Sequence, residues 1–132
     1  MCGISEILKN QVWEKGQIIA GYDSSKIRKD ACGAWICKDN YGDKTSDFGW
    51  EVDHIYPKSR LHEMCVPIDL INDIQNLRPL HWMNNESKSD SYPEYRSIVG
   101  ADGNKNKTRE GFFRVSDETQ EIISRLFEKY FL

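Results

Sequence analysis

The sequence predicts a small α+β protein, and three observations carry that expectation. Short alternating apolar runs sit between turn-rich segments, and helical periodicity appears near both ends. The 132 residues, 39% of them hydrophobic, suffice for one modest core. A single domain over residues 1–132 follows, with no internal repeat and no low-complexity segment.

The elements can be justified in chain order. "SEILKNQVWEKG" spaces Ile4, Leu8 and Val12 for one helical face, with Ser5 near a capping position and Gly16 as a stop, so a short N-terminal helix is expected. "CGAWIC" is an apolar run before the turn-rich "KDNYGDKTSD", which predicts a short strand leading into a hairpin or loop. "FGWEVDHIYP" alternates, placing Trp50, Val52 and His54 on one side and Glu51, Asp53 and Ile55 on the other, until Pro57 ends the pairing. "LRPLHWM" predicts a second strand, at an edge because Pro79 lacks an amide donor. A short helix starting near Asn84 should follow, since "NNESKSD" is rich in capping residues and helix formers. Residues 100–111, "GADGNKNKTREG", show no apolar periodicity and predict a mobile loop. The chain closes on a helix over about 117–131, with an Asp117/Gln120 capping box and an apolar face of Ile122, Ile123, Leu126, Phe127 and Tyr130. That face should dock on the core, although a homodimer interface would read the same way.

Composition narrows the function classes. No apolar run approaches the roughly 20 residues that cross a bilayer, and the N-terminus lacks a secretory pattern, so a cytoplasmic protein without a membrane partner is expected. Cys2, Cys32, Cys37 and Cys65 are too scattered for a disulfide framework, and Cys32 with Cys37 lacks the second pair of soft ligands that a structural zinc needs. The net charge of −3 does not advertise a nucleic-acid partner. Basic residues nonetheless gather at Lys26, Arg28 and Lys29, at Lys58 and Arg60, and at Lys105, Lys107, Arg109 and Arg114.

An acid beside a histidine before a proline is most often a strand-end turn; what gives Asp53-His54 weight is its spacing to residues downstream. With Asn76 in the connection and Asn84, Asn85 and Lys88 on the following helix, "EVDHIYPKS...NLRPLHWMNNESKSD" resembles the HNH endonuclease motif, the ββα-metal nuclease finger. In that family a first strand ends in Asp-His, an asparagine follows in the loop, and a His or Asn lies nine residues further, where this chain has Asn85. Upstream, "RKDACGAWI" and "FGWE" are similar to the lead-in of stand-alone bacterial and phage HNH proteins. The resemblance covers roughly residues 12–90, and the finger itself would occupy about 48–92, wrapped by the terminal helices and a short N-terminal strand or hairpin.

The resemblance implies a metal-dependent endonuclease acting on DNA, preferentially double-stranded, and leaving 5′-phosphate and 3′-hydroxyl ends. It assigns His54 as general base, Asn76 as the tie that holds the loop behind it, and Asp53 and Asn85 as metal ligands, with Glu51 as an accessory. Lys58, Arg78 and Lys88 become candidates for phosphate contacts. Ligand hardness then selects the ion: a carboxylate and an amide oxygen suit Mg²⁺ or Mn²⁺. Many HNH proteins also carry paired Cys-x-x-Cys motifs around a structural zinc. The second pair would fall here at His81 and Asn84, so no structural zinc is expected, and Trp35, Trp50 and Trp82 are expected to fill that space. Two alternatives stay open: a nonspecific toxin or phage-defence nuclease in place of a restriction-type enzyme, and a non-catalytic DNA-binding module that retains the finger.

Overall fold

The computed structural model describes residues 4–131. The α+β class holds: five helices alternate with three two-stranded antiparallel sheets among the described residues.

Helix α1 spans Glu6–Trp13, and its first turn is closed by Ser5, whose hydroxyl accepts from the Leu8 amide. Strands β1 (Ile27–Lys29) and β2 (Trp35–Cys37) form the first sheet. The expected "CGAWIC" strand is therefore real, but it pairs with the residues before it and not with the turn-rich segment after it. Strand β3 (Trp50–His54) pairs with β4 (Leu77–His81), setting Asp53 opposite Arg78 and His54 opposite Leu77. Two short helices, α2 (Lys58–Glu63) and α3 (Ile68–Ile71), fill the connection between them.

Helix α4 spans Trp82–Lys88 and starts two residues earlier than the sequence suggests, because His81 caps it: its Nδ1 accepts from the Met83 amide at 3.1 Å. The order β3, β4, α4 places a two-stranded ribbon against one helix, which contacts both strands.

Pro79 sits opposite Val52. Ile55 donates to the Asn76 carbonyl and Trp82 to the Gly49 carbonyl at the two ends of the ribbon, so the bonded pairs alternate and the Val52–Pro79 pair is one that asks no amide of proline. Gly49 enters this ribbon so close to the Asp43 carbonyl that a Cβ there would lie 2.0 Å from its oxygen.

The mobile loop expected over 100–111 is not one. Residues Glu94–Asp102 form β5 and Lys105–Arg114 form β6, a hairpin turned at Gly103 with φ +62°. Hydrophobic periodicity misses it because β6 is largely solvent-facing; its order comes from the antiparallel ladder with β5 and from asparagine side chains that act as backbone. Asn106 accepts from the Trp35 amide at 2.7 Å and donates to the Trp35 carbonyl at 2.9 Å, tying the hairpin tip to β2. Asn84 accepts from Ile98 and Val99 and donates to the Val99 carbonyl, tying β5 to α4.

The last helix, α5, runs Asp117–Leu126 and passes into a 3-10 turn at Glu128–Tyr130. Its cap is Ser116, one residue before the expected Asp117, and Gln120 binds the Val115 carbonyl instead of closing a capping box. Ile123 and Phe127 from its apolar face are fully buried against Ile55, Tyr56, Leu61 and Tyr95. Docking on the core thus accounts for most of this face, while Ile122 stays exposed. A second cluster of Val12, Trp13, Ile36, Trp50 and Leu77 seats α1 on the ribbon. No helix of the described residues is long and apolar enough to cross a membrane.

Candidate active site

Strand β3 ends where the chain must turn at Pro57, and that end forms one wall of a surface hollow of about 350 Å³. Asp53, His54 and Lys58 from this side, and Asn85, Ser89 and Asp90 from α4 and the residues after it, line the hollow. Three of the four motif residues singled out in the sequence therefore meet in one place. Asn76 does not line it, and lies beneath.

Asn76 is fully buried and uses its whole side chain. Its Oδ1 accepts from the Tyr56 amide at 2.8 Å, and its Nδ2 donates to the Tyr56 and Ile71 carbonyls at 3.2 Å each. These bonds clamp the residues following His54 to the far end of the connection.

His54 is half-buried, and its Nε2 lies 2.8 Å from Asn72 Oδ1. A carbonyl oxygen can only accept, so Nε2 carries the hydrogen and Nδ1 keeps the free lone pair. Burial pushes the imidazole pKa below its usual value, with the Asn72 bond and the Asp53 carboxylate opposing. The ring is consequently neutral at pH 7. Asn72 was not singled out in the sequence: its only signal is position, four residues before Asn76.

Asp53 is 3% exposed and held from two sides, with Oδ2 2.8 Å from Arg78 Nε and Oδ1 3.1 Å from Lys88 Nζ. Both of these candidate phosphate-binding cations therefore face Asp53 in this structure. Lys88 is fully buried, and its ammonium also donates to the His54 carbonyl at 3.1 Å. Arg78 lies over the Tyr95 ring, 5.1 Å from its centroid. Both side chains are drawn inward because a buried carboxylate needs compensating charge. Lys58 alone of the three stands at the hollow.

Replacing Lys88 by Met should destabilise the fold by about 2 kcal/mol in urea denaturation, as removing one cation from a buried pair does when another remains. A residue that only touched phosphate would leave stability unchanged.

Asn85 donates from Nδ2 to Glu51 Oε1 at 3.0 Å, which turns its Oδ1 into the remaining acceptor. Glu51 thus positions Asn85, and its other oxygen faces Lys44 at 3.7 Å. Among the described residues no three His, Cys, Asp or Glu side chains gather as a metal cluster. A cation here would rest on Asp53 and Asn85 alone. That donor set still fits a hard ion: a carboxylate offers about four lone-pair sites, of which Lys88 and Arg78 occupy two, and Mg²⁺ characteristically keeps several waters.

The two positions where a zinc-binding pair would fall, His81 and Asn84, converge on one side chain that sequence reading passed over. Asp30 is fully buried. Its Oδ1 accepts from the Cys32 and Ala34 amides at 2.9 and 2.8 Å, and its Oδ2 from the His81 amide at 2.9 Å and Asn84 Nδ2 at 3.2 Å. The join between the β1–β2 turn and the start of α4 is made by this carboxylate. The three tryptophans expected to fill the space lie apart, with Trp50 against Trp13, Trp35 against Tyr22 and Trp82 beside His81.

No family model matches the chain, and neither a curated protein nor a solved structure matches it.

Proposed function

We propose that β3, β4 and α4 form a ββα-metal finger and that the chain is an HNH-type endonuclease. It would hydrolyse phosphodiester bonds of DNA to 5′-phosphate and 3′-hydroxyl ends. The observation that carries this reading is a neutral histidine with a defined tautomer opening on the same hollow as a buried carboxylate and an amide. A strand-end turn would need none of these to converge.

In this reading Asp53 and Asn85 Oδ1 would hold Mg²⁺ or Mn²⁺. When bound, such an ion supplies positive charge to the scissile phosphate and the departing oxygen. The chain's own residues do the rest. His54 Nδ1 takes the proton from the attacking water, and Asn72, on Nε2, holds the ring while it becomes cationic. Asn76 fixes the backbone behind the ring. Glu51 keeps the Asn85 oxygen turned outward, and Lys58 at the rim positions the phosphate strand without reading its bases.

The reading is tested by incubating purified protein with supercoiled plasmid and Mg²⁺ or Mn²⁺, with and without chelator. Open-circular product that chelator abolishes is expected; absence of nicking under any divalent ion rejects the proposal. One observation favours the rival, a DNA-binding module that keeps the finger for shape: both oxygens of Asp53 already face cations, as in a structural ion pair. Duplex binding without cleavage would select it.

A further inference from the structure

Away from the hollow, Lys15, Arg78 and Thr119 together line two adjoining depressions of about 300 and 420 Å³ between α5 and the outer edge of β4. The first is mixed, adding Gln17, Tyr95 and Ser116 beside apolar side chains; the second is apolar, adding Ile55, Ile74 and Ile122. We propose that this groove binds a phosphate group. The proposal goes beyond the nuclease reading and does not depend on it.

The charge balance motivates it. Lys15 reaches the carbonyls of Ile74 and Leu77 and pairs with no carboxylate among the described residues. Arg78 gives Nε to Asp53 and lies beside the Tyr95 hydroxyl, and among the described residues its Nη2 is the buried side-chain nitrogen without an acceptor in full hydrogen-bond geometry. The carboxylate that balances Arg78 is already shared with Lys88. Asp53 therefore serves two cations while Lys15 feels only the pull of Asp73, and an orphaned guanidinium donor in such a partly desolvated region calls for an acceptor.

Lys15 registers the imbalance: burial and the nearby Arg78 bring its pKa down to about 8, against the opposing pull of Asp73. A doubly charged tetrahedral anion is the ligand that an ammonium and a guanidinium hold together. Ser116 is spent on the Thr119 amide and hydroxyl, so the first turn of α5 adds the Thr119 hydroxyl and the favourable end of a ten-residue helix. Arg114 stands at the margin but is taken by Glu94 and Asp117, so it contributes nothing free.

The phosphate could come from a free phosphate or phosphomonoester, or from the backbone of a nucleic acid. Both sources are tested on the full chain without divalent metal. Inorganic phosphate is titrated calorimetrically at constant ionic strength against chloride, and a short DNA duplex is titrated by fluorescence anisotropy. Wild type is compared with Thr119→Glu, which puts a carboxylate into the groove at a helix position that favours acids, and with Lys15→Gln. If Lys15→Gln fails to fold, Thr119→Glu decides alone. Saturable phosphate binding weakened at least tenfold by Thr119→Glu is expected. An unchanged duplex affinity then assigns the free anion, and a tenfold loss there assigns the backbone. If neither probe responds to Thr119→Glu, the proposal is overturned, whether or not wild type binds phosphate. Plasmid nicking is scored separately, so its failure leaves this result standing.

Discussion

His54→Ala should lower the plasmid nicking rate by about 10²- to 10⁴-fold while leaving duplex affinity unchanged, the range expected when a general base is removed. The side chain is half-buried and makes one hydrogen bond, to Asn72, so its loss should cost little stability. The effect thus falls on rate, and equal thermal melts of the two proteins check that. The pH dependence follows from the same ring. Burial depresses its folded pKa, so the fraction of neutral imidazole rises as pH increases through a value below about 6.5, and activity should already be on its plateau at pH 7. The same depression means that folding favours the neutral ring. Its stabilising contribution is complete above the unfolded pKa and is lost as pH falls through the folded one. A nicking rate still climbing steeply between pH 7 and 8 would remove His54 from the role of base.

Asp30→Ala should be the most destabilising of the single substitutions considered, by roughly 3–5 kcal/mol, because it strands four donors at once, three of them buried. For a chain of this size that lowers the melting temperature by about 15 °C, measurable by circular dichroism. Asp30→Asn should recover only part of this loss. One of its two terminal atoms becomes a donor, and each carboxylate oxygen now faces two donors. A melt of Asp30→Asn equal to wild type would show that the join is carried by packing and not by the carboxylate. Cleavage should fail in Asp30→Ala only where the protein is unfolded, which separates this effect from that of His54→Ala.

What could be read from the sequence was local. The alternation of "FGWEVDHIYP" marked the strand that the structure bounds at Trp50–His54, and the spacing from Asp53-His54 to Asn85 named residues that line one hollow. Pro79 marked an edge, since a ribbon of two strands is all edge. The apolar face of the last helix pointed to the core it packs on. What escaped depended on contacts between distant segments. The β5–β6 hairpin has a polar outer strand that carries no apolar rhythm, and its order rests on Asn84 and Asn106, residues that alone suggest turns. Lys88 looked like a surface cation on a helix; only the fold shows it sealed against Asp53. Asp30 and Asn72 gave little signal, because their distant partners, His81 and His54, lie about fifty and eighteen positions away.

Asn84 and Asn85 stand side by side on α4 and face different neighbours, one clasping β5 and the other opening on the hollow beside Asp53. Adjacent helical residues are separated by about 100°, so the two amides share a single rotational phase. A one-residue insertion between His81 and Asn84 would swing both out of place together, detaching the hairpin and emptying the hollow in one event. The spacing of the motif is thus policed by the architecture of the hairpin as well as by chemistry, and a lineage that lost β5 would be freer to let that spacing drift.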